Sequence, residues 1–185
     1  APLKLFLRLV ATKGWDIAAL YNALYNRVLA GNYNISLLED IQVEKSVGKI
    51  GNSNSKDRID IWAALELSYE EDGDEVRQIV PVIIENKIYS NEGKEQTIRY
   101  YNAALDYRQE DSVKSIPMGV LLTVEDKVPS CDVFVNVTYQ ELLTYVIEPL
   151  VSSVAPDSLK FVESFIRNLG RPALTDNKYY GVLAV

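Results

Sequence analysis

Two strand-like runs flank the dipeptide Asp72-Gly73, and that arrangement constrains the fold more than any other stretch of the chain. Residues 58–69, "RIDIWAALELSY", alternate Ile59, Ile61, Ala63, Leu65 and Leu67 with Arg58, Asp60, Trp62, Ala64 and Glu66, the period of a strand. Residues 76–88, "VRQIVPVIIENKI", are apolar on both faces through Ile84, which suits a central strand. Asp-Gly favours a two-residue type I′ turn, because both positions need positive φ. With that loop, residue 71 faces 74, and the same register carries Asp60 opposite Glu85. Opposed residues of an antiparallel pair have Cβ atoms about 4.5–5.5 Å apart. Lys87, two residues beyond Glu85, shares its face. Pro81 is the irregular feature, since it cannot donate to a ladder and a one-residue bulge there would turn Glu85 away from Asp60.

The rest of the chain supplies alternating helices and strands. "LKLFLRLV" near the start carries Lys4 and Arg8 and reads as a helix rather than a signal peptide. Ile17, Leu20, Tyr21, Leu24 and Val28 follow helical spacing over 15–30, from Asp16 to a stop at Gly31-Asn32. A strand is expected at 41–47, a loop at 48–57, a helix at 94–109 and strands at 118–124 and 133–139. Helices around 139–150 and 157–169 close the chain. The expected fold is α/β with a mixed sheet, because the hairpin strands are antiparallel whereas 118–124 follows a crossover helix. At 185 residues the chain is read as a single domain, 1–185, with its core at about 15–139 and a helical extension at 140–185. The start at Ala1-Pro2, without methionine and close to the first helix, leads us to expect an upstream segment.

Composition narrows the chemistry. With no histidine, imidazole catalysis, Ser-His-Asp triads and His-based metal sites are excluded. The single cysteine, Cys131, rules out an internal disulfide and fits a reducing cytoplasm. No apolar run reaches the roughly 20 residues of a membrane span. The net charge of −7 argues mildly against nucleic acid, but Lys45, Lys49, Lys56 and Arg58 form a basic cluster of their own. The acids at 66–75 gather elsewhere.

Catalysis therefore falls to carboxylates, lysine, tyrosine or a metal on oxygen ligands. Asp60 and Glu85 at one register position would repel each other unless a cation lay between them. Magnesium, bound through one or two carboxylates with water and phosphate in its other positions, resolves the repulsion, and the Asn86 carbonyl could add an oxygen. Lys87 would orient the attacking water or stabilise the charge on phosphorus. A salt bridge from Asp60 to Arg58 or Lys87, or a simple Glu85–Lys87 ion pair, is the structural alternative.

These residues resemble the PD-(D/E)XK nuclease superfamily. The matching elements are Asp60 in "RIDIW", Glu85-Asn86-Lys87 as E-x-K, and Gln96 to Tyr100, "QTIRY", as the Q-x-x-x-Y of the next helix. That last element is similar to the RecB-like and lambda-exonuclease-like branch, and "IIENKIYSNEGKEQTIRYY" is similar to a bacterial group within the superfamily. The resemblance covers roughly Gln42 to Tyr139, and Ile59 stands where the family often has proline. It implies a restriction-endonuclease-like αβββαβ core, mixed sheet flanked by helices, with extra C-terminal helices. It also implies Mg2+ (or Mn2+) as cofactor and hydrolysis of phosphodiester bonds in DNA. On this basis Asp60, Glu85, Lys87, Gln96 and Tyr100 are the catalytic set, with Asp60, Glu85, the Asn86 carbonyl and, by position, Glu44 on the metal. DNA contacts are expected from Lys45, Lys49, Lys56, Arg58 and Arg99. The alternative is a catalytically inactive nucleic-acid-binding or assembly module that retains the fold. Cleavage of DNA or RNA, endo- or exonucleolytic action and homo-oligomer formation are left open by these residues.

Overall fold

The computed structural model describes residues 2–14, 19–49, 56–88, 90–107 and 115–153, with isolated positions beyond. Helices α1 (Pro2–Lys13) and α2 (Ala19–Ala30) precede strands β1 (Asn34–Leu37), β2 (Gln42–Lys49), β3 (Lys56–Glu71) and β4 (Asp74–Lys87). Helix α3 (Gln96–Leu105) leads to β5 (Met118–Thr123) and β6 (Phe134–Thr138), and α4 (Tyr139–Leu142) continues into a π turn at Leu143–Ile147 and a 3-10 turn at Glu148–Ser153. The closing helix expected at 157–169 falls largely outside the described residues.

The hairpin forms in the expected register. Asp72 and Gly73 have φ of 52° and 92°, as a type I′ turn requires. Pairing then runs unbroken from Glu71↔Asp74 to Ile61↔Ile84. Pro81 pairs with Ala64 and introduces no bulge. Its missing donor is harmless for a geometric reason. Alternate residues of β4 turn their main-chain groups to opposite edges: the Asn86 N–H meets Asp60 of β3, while the Ile79 carbonyl meets Ile116 on the side of β5. Pro81 belongs with Ile79 and turns its donor-less nitrogen to the β5 side, between the Ile79↔Ser115 bridge and the ladder that starts at Val82↔Met118. The β3–β4 ladder loses no bond.

The sheet order is β1-β3-β4-β5-β6, with β2 also paired to β3. Pairs on the β1, β2, β3 and β4 side are antiparallel, while β4–β5 and β5–β6 are parallel. Strand β1 was not anticipated from the sequence. It has four residues, of which Asn34, Ser36 and Leu37 are exposed, and offers no alternation to read. Strand β3 is long enough to hold β1 at Leu65–Ser68 and β2 at Lys56–Trp62.

The two faces of the sheet bury different cores. On one, Ala63, Leu65, Leu67, Val80, Val82 and Val120 pack with α1, α2 and the C-terminal turns through Leu7, Val10, Tyr21, Tyr25 and Leu143. On the other, Ile59, Trp62, Ile83 and Phe134 pack with Tyr100 and Ala104 of α3. Burial of β5 on both faces explains its uninterrupted apolar sequence. Gly119 is required there: a Cβ would stand 2.3 Å from Cδ2 of the buried Phe134 ring, its partner across the ladder. Gly119→Ala is expected to destabilise the fold by about 1–3 kcal/mol, read as a lower urea midpoint with an unchanged slope.

Candidate active site

The site lies where β3 enters and β4 leaves the sheet. Register continued past Ile61↔Ile84 brings Asp60 opposite Glu85. Glu44, opposite Asp60 on the other side, has φ of 50°, and the β2–β3 ladder skips that pair. A left-handed residue in a strand bends it, and Ile59 and Trp62, of opposite parity, accordingly enter the same core. Asp60 is thus released from regular pairing, and its Oδ2 accepts the Asn86 N–H at 2.7 Å.

Glu85 is 2% exposed. Its Oε1 meets the Lys87 ammonium at 2.5 Å and accepts from Gln96 Nε2 at 2.9 Å. Its Oε2 is buried with no hydrogen-bond partner among the described residues. Burial raises the Glu85 carboxyl above its usual range; hydrogen bonds from Lys87 and Gln96 oppose the shift and the Asp60 charge adds to it. An orphaned buried carboxylate oxygen beside a second acid is costly unless a cation takes it up.

Helix α3 supplies the third side. Its apolar face carries Tyr100 and Ala104 into the core, which leaves Gln96, one turn earlier, at the sheet end. The Gln96 amide is fully used: Oε1 accepts the Gly93 N–H at 3.1 Å, and Nε2 donates to Glu85 and, at 2.6 Å, to the Tyr100 hydroxyl. Tyr100 in turn donates to the Arg58 carbonyl. Burial first of all pushes its pKa up to about 12, so it keeps this proton at neutral pH. Gln96 and Tyr100 therefore tie α3 to both strands that carry the acids.

Of the other expected residues, Arg99 pairs with Asp57 at 2.5 Å and donates to the Lys94 carbonyl, clamping α3 to the start of β3. Arg58 is exposed and pairs with Glu44 at 3.2 Å. Glu44 is itself exposed, and no group of three or more His, Cys, Asp or Glu suited to a metal occurs among the described residues. Lys45 turns inward, 3.9 Å above the Trp62 ring and 3.4 Å from Glu39. Lys49 and Lys56 face each other across the β2–β3 ladder.

Two supporting residues were not anticipated. Glu92 accepts four hydrogen bonds, from the main chain and hydroxyls of Thr97 and Ser130, and so anchors the start of α3. Burial alone would raise its carboxyl, but these donors hold it below the usual range. An acid just ahead of a helix is a readable start signal, though its Ser130 partner is not. Tyr139 donates to the Asn86 side chain, a contact between distant segments that no local pattern announces.

A buried Glu85 beside the half-buried Asp60 and Lys87, on a mixed sheet with helices on both faces, fits a restriction-endonuclease-like fold. The family model of the PD-(D/E)XK nuclease superfamily matches residues 3–163, and the chain belongs to that superfamily. No curated protein and no solved structure matches it. No helix among the described residues is long and apolar enough to cross a membrane.

Proposed function

We propose that this chain is a divalent-metal-dependent nuclease that hydrolyses phosphodiester bonds in DNA. The observation that carries the reading is the orphaned Glu85 Oε2, buried beside Asp60 while Oε1 is held by Lys87 and Gln96. Asp60 and Glu85 would hold Mg2+ or Mn2+, a hard cation suited to carboxylates. The Asn86 carbonyl joins them by strand geometry: main-chain N–H and C=O of one residue point to one edge, and the Asn86 N–H points to Asp60. Glu44, engaged by Arg58, is the weakest of the four candidates. When bound, the cation acidifies a water and neutralises charge developing on phosphate.

The protein's own groups do the positioning. Gln96 fixes one oxygen of Glu85 and leaves the other for the cation. Lys87 places its ammonium beside the acids, where it orients the attacking water and stabilises negative charge on phosphorus. Tyr100 locks Gln96 from below. For the DNA backbone we favour Arg58, whose pair with Glu44 is exposed and open to exchange, with Lys49 and Lys56 of the neighbouring ladder end, over Lys45 and Arg99, whose pairs are half-buried. The lone buried thiol of Cys131 suits work in the cytoplasm.

The test is incubation of linear and plasmid DNA with the protein and Mg2+ or Mn2+, with EDTA as control. Cleavage that EDTA abolishes supports the reading. DNA binding without cleavage under either metal would replace it with a non-catalytic binding module. Charge reversal at Lys49 and Lys56 is expected to weaken DNA binding at low salt and flatten its salt dependence, measured by fluorescence anisotropy.

A further inference from the structure

Asn86 stands between the two charged residues of the E-x-K element, and strand alternation sends its side chain to the opposite face from Glu85 and Lys87. There Asn86 Oδ1 accepts a hydrogen bond from the Tyr139 hydroxyl at 2.5 Å. On the main chain, the same residue donates to Asp60 Oδ2 at 2.7 Å. One residue is therefore gripped from both sides of the sheet, at the point where the β3–β4 ladder has already ended at Ile61↔Ile84.

Tyr139 is well placed to grip. It is 7% exposed and is the first residue of α4. Thr138 caps that helix, with Glu141 completing a capping box. Glu141 also meets Lys13 of α1 at 2.6 Å. Helix α4 is thus capped and tied to α1 by contacts separate from the phenol's own bond to Asn86.

We propose that Tyr139 is a positioning residue for the metal, acting through Asn86 from the face of the sheet opposite the chemistry. By fixing the Asn86 side chain it sets the rotation of the peptides on either side. Those peptides present the carbonyl toward the cation and the N–H toward Asp60. Without the phenolic bond, Asn86 keeps its place in the β4–β5 ladder opposite Leu122 but has neither a β3 ladder nor a side-chain anchor on the edge that faces Asp60. This inference rests on the metal-site reading above.

The experiment is calorimetric titration of the full chain with Mn2+, comparing wild type, Tyr139→Phe, Asn86→Ala, the double variant and Glu141→Ala. Tyr139→Phe is expected to weaken Mn2+ binding about tenfold, as loss of a partner behind a metal ligand does. The double variant should bind no worse than the weaker single one, because both changes break one link. Glu141→Ala should lower the melting temperature yet leave Mn2+ affinity alone. Unchanged affinity in Tyr139→Phe while wild type binds Mn2+ would overturn the inference and spare the metal site. An equal loss in Glu141→Ala would also overturn it, by reducing Tyr139 to a general support of α4. If wild type shows no saturable Mn2+ binding, the metal reading itself fails and takes this inference with it.

Discussion

Lys87→Ala, Asp60→Asn and Glu85→Gln are each expected to lower DNA hydrolysis by at least about a thousandfold. The three should differ in what else they lose. Magnesium at about a hundred times its Kd should stabilise wild type by about 2.7 kcal/mol, and the two carboxylate variants by far less. Lys87→Ala should retain that stabilisation, since it removes no ligand. Without metal, Glu85→Gln should be at least as stable as wild type at neutral pH. The sign follows from the raised Glu85 carboxyl, whose causes are burial first, with Asp60 adding and Lys87 and Gln96 opposing. A raised folded-state pKa means that the folded chain holds this proton more tightly than the unfolded chain. Stability then falls as pH rises from about 4.3, the ordinary value, through the raised one. Glutamine removes that loss, so the advantage of Glu85→Gln should vanish below about pH 4 in urea titrations. A variant less stable than wild type at pH 7, with wild-type stability at acid pH, would contradict the assigned burial cost.

Trp62→Ala is expected to cost about 3–5 kcal/mol, the largest single-site loss of stability we anticipate. Trp62 is 2% exposed, packs edge-on against Tyr107 at 5.2 Å and donates to Glu39 at 2.7 Å. It pairs with Ile83, two residues before Glu85 and on the same face. Its removal would leave a cavity under α3, take from Glu39 its shorter hydrogen bond and strip Lys45 of the ring beneath it. Chemical denaturation should show the loss. Residual activity at low temperature should exceed that of Lys87→Ala, because the reacting groups remain.

How much of this was legible in the sequence depended on the range of the contacts involved. Asp60 and Glu85 could be placed together because Asp72-Gly73 sets a register that propagates without further information. Gln96 and Tyr100 could be placed on one helical face, but not the sharing of the Gln96 amide between Glu85 and Tyr100. Lys45 was expected at phosphate, since its stretch of sequence is polar; the rings of Trp62 and Tyr107 that draw it inward lie far along the chain. Glu44 is adjacent to Asp60 by register, yet its left-handed backbone turns an apparent ligand position into a bend. The link from Tyr139 to Asn86 spans 53 residues and has no periodic signature.

The order of the site residues along the chain has a kinetic consequence. Asp60, Glu85, Lys87, Gln96 and Tyr100 all fall within the continuous stretch from β3 through α3. The acids are brought together by a two-residue loop, whose closure entropy is small, whereas β5 and β6 must await a crossover. Hairpins form in microseconds and parallel pairings of high contact order come later. The nascent chain would accordingly bring the two carboxylates together before the sheet behind them is complete, so that their mutual repulsion acts on the hairpin early in folding.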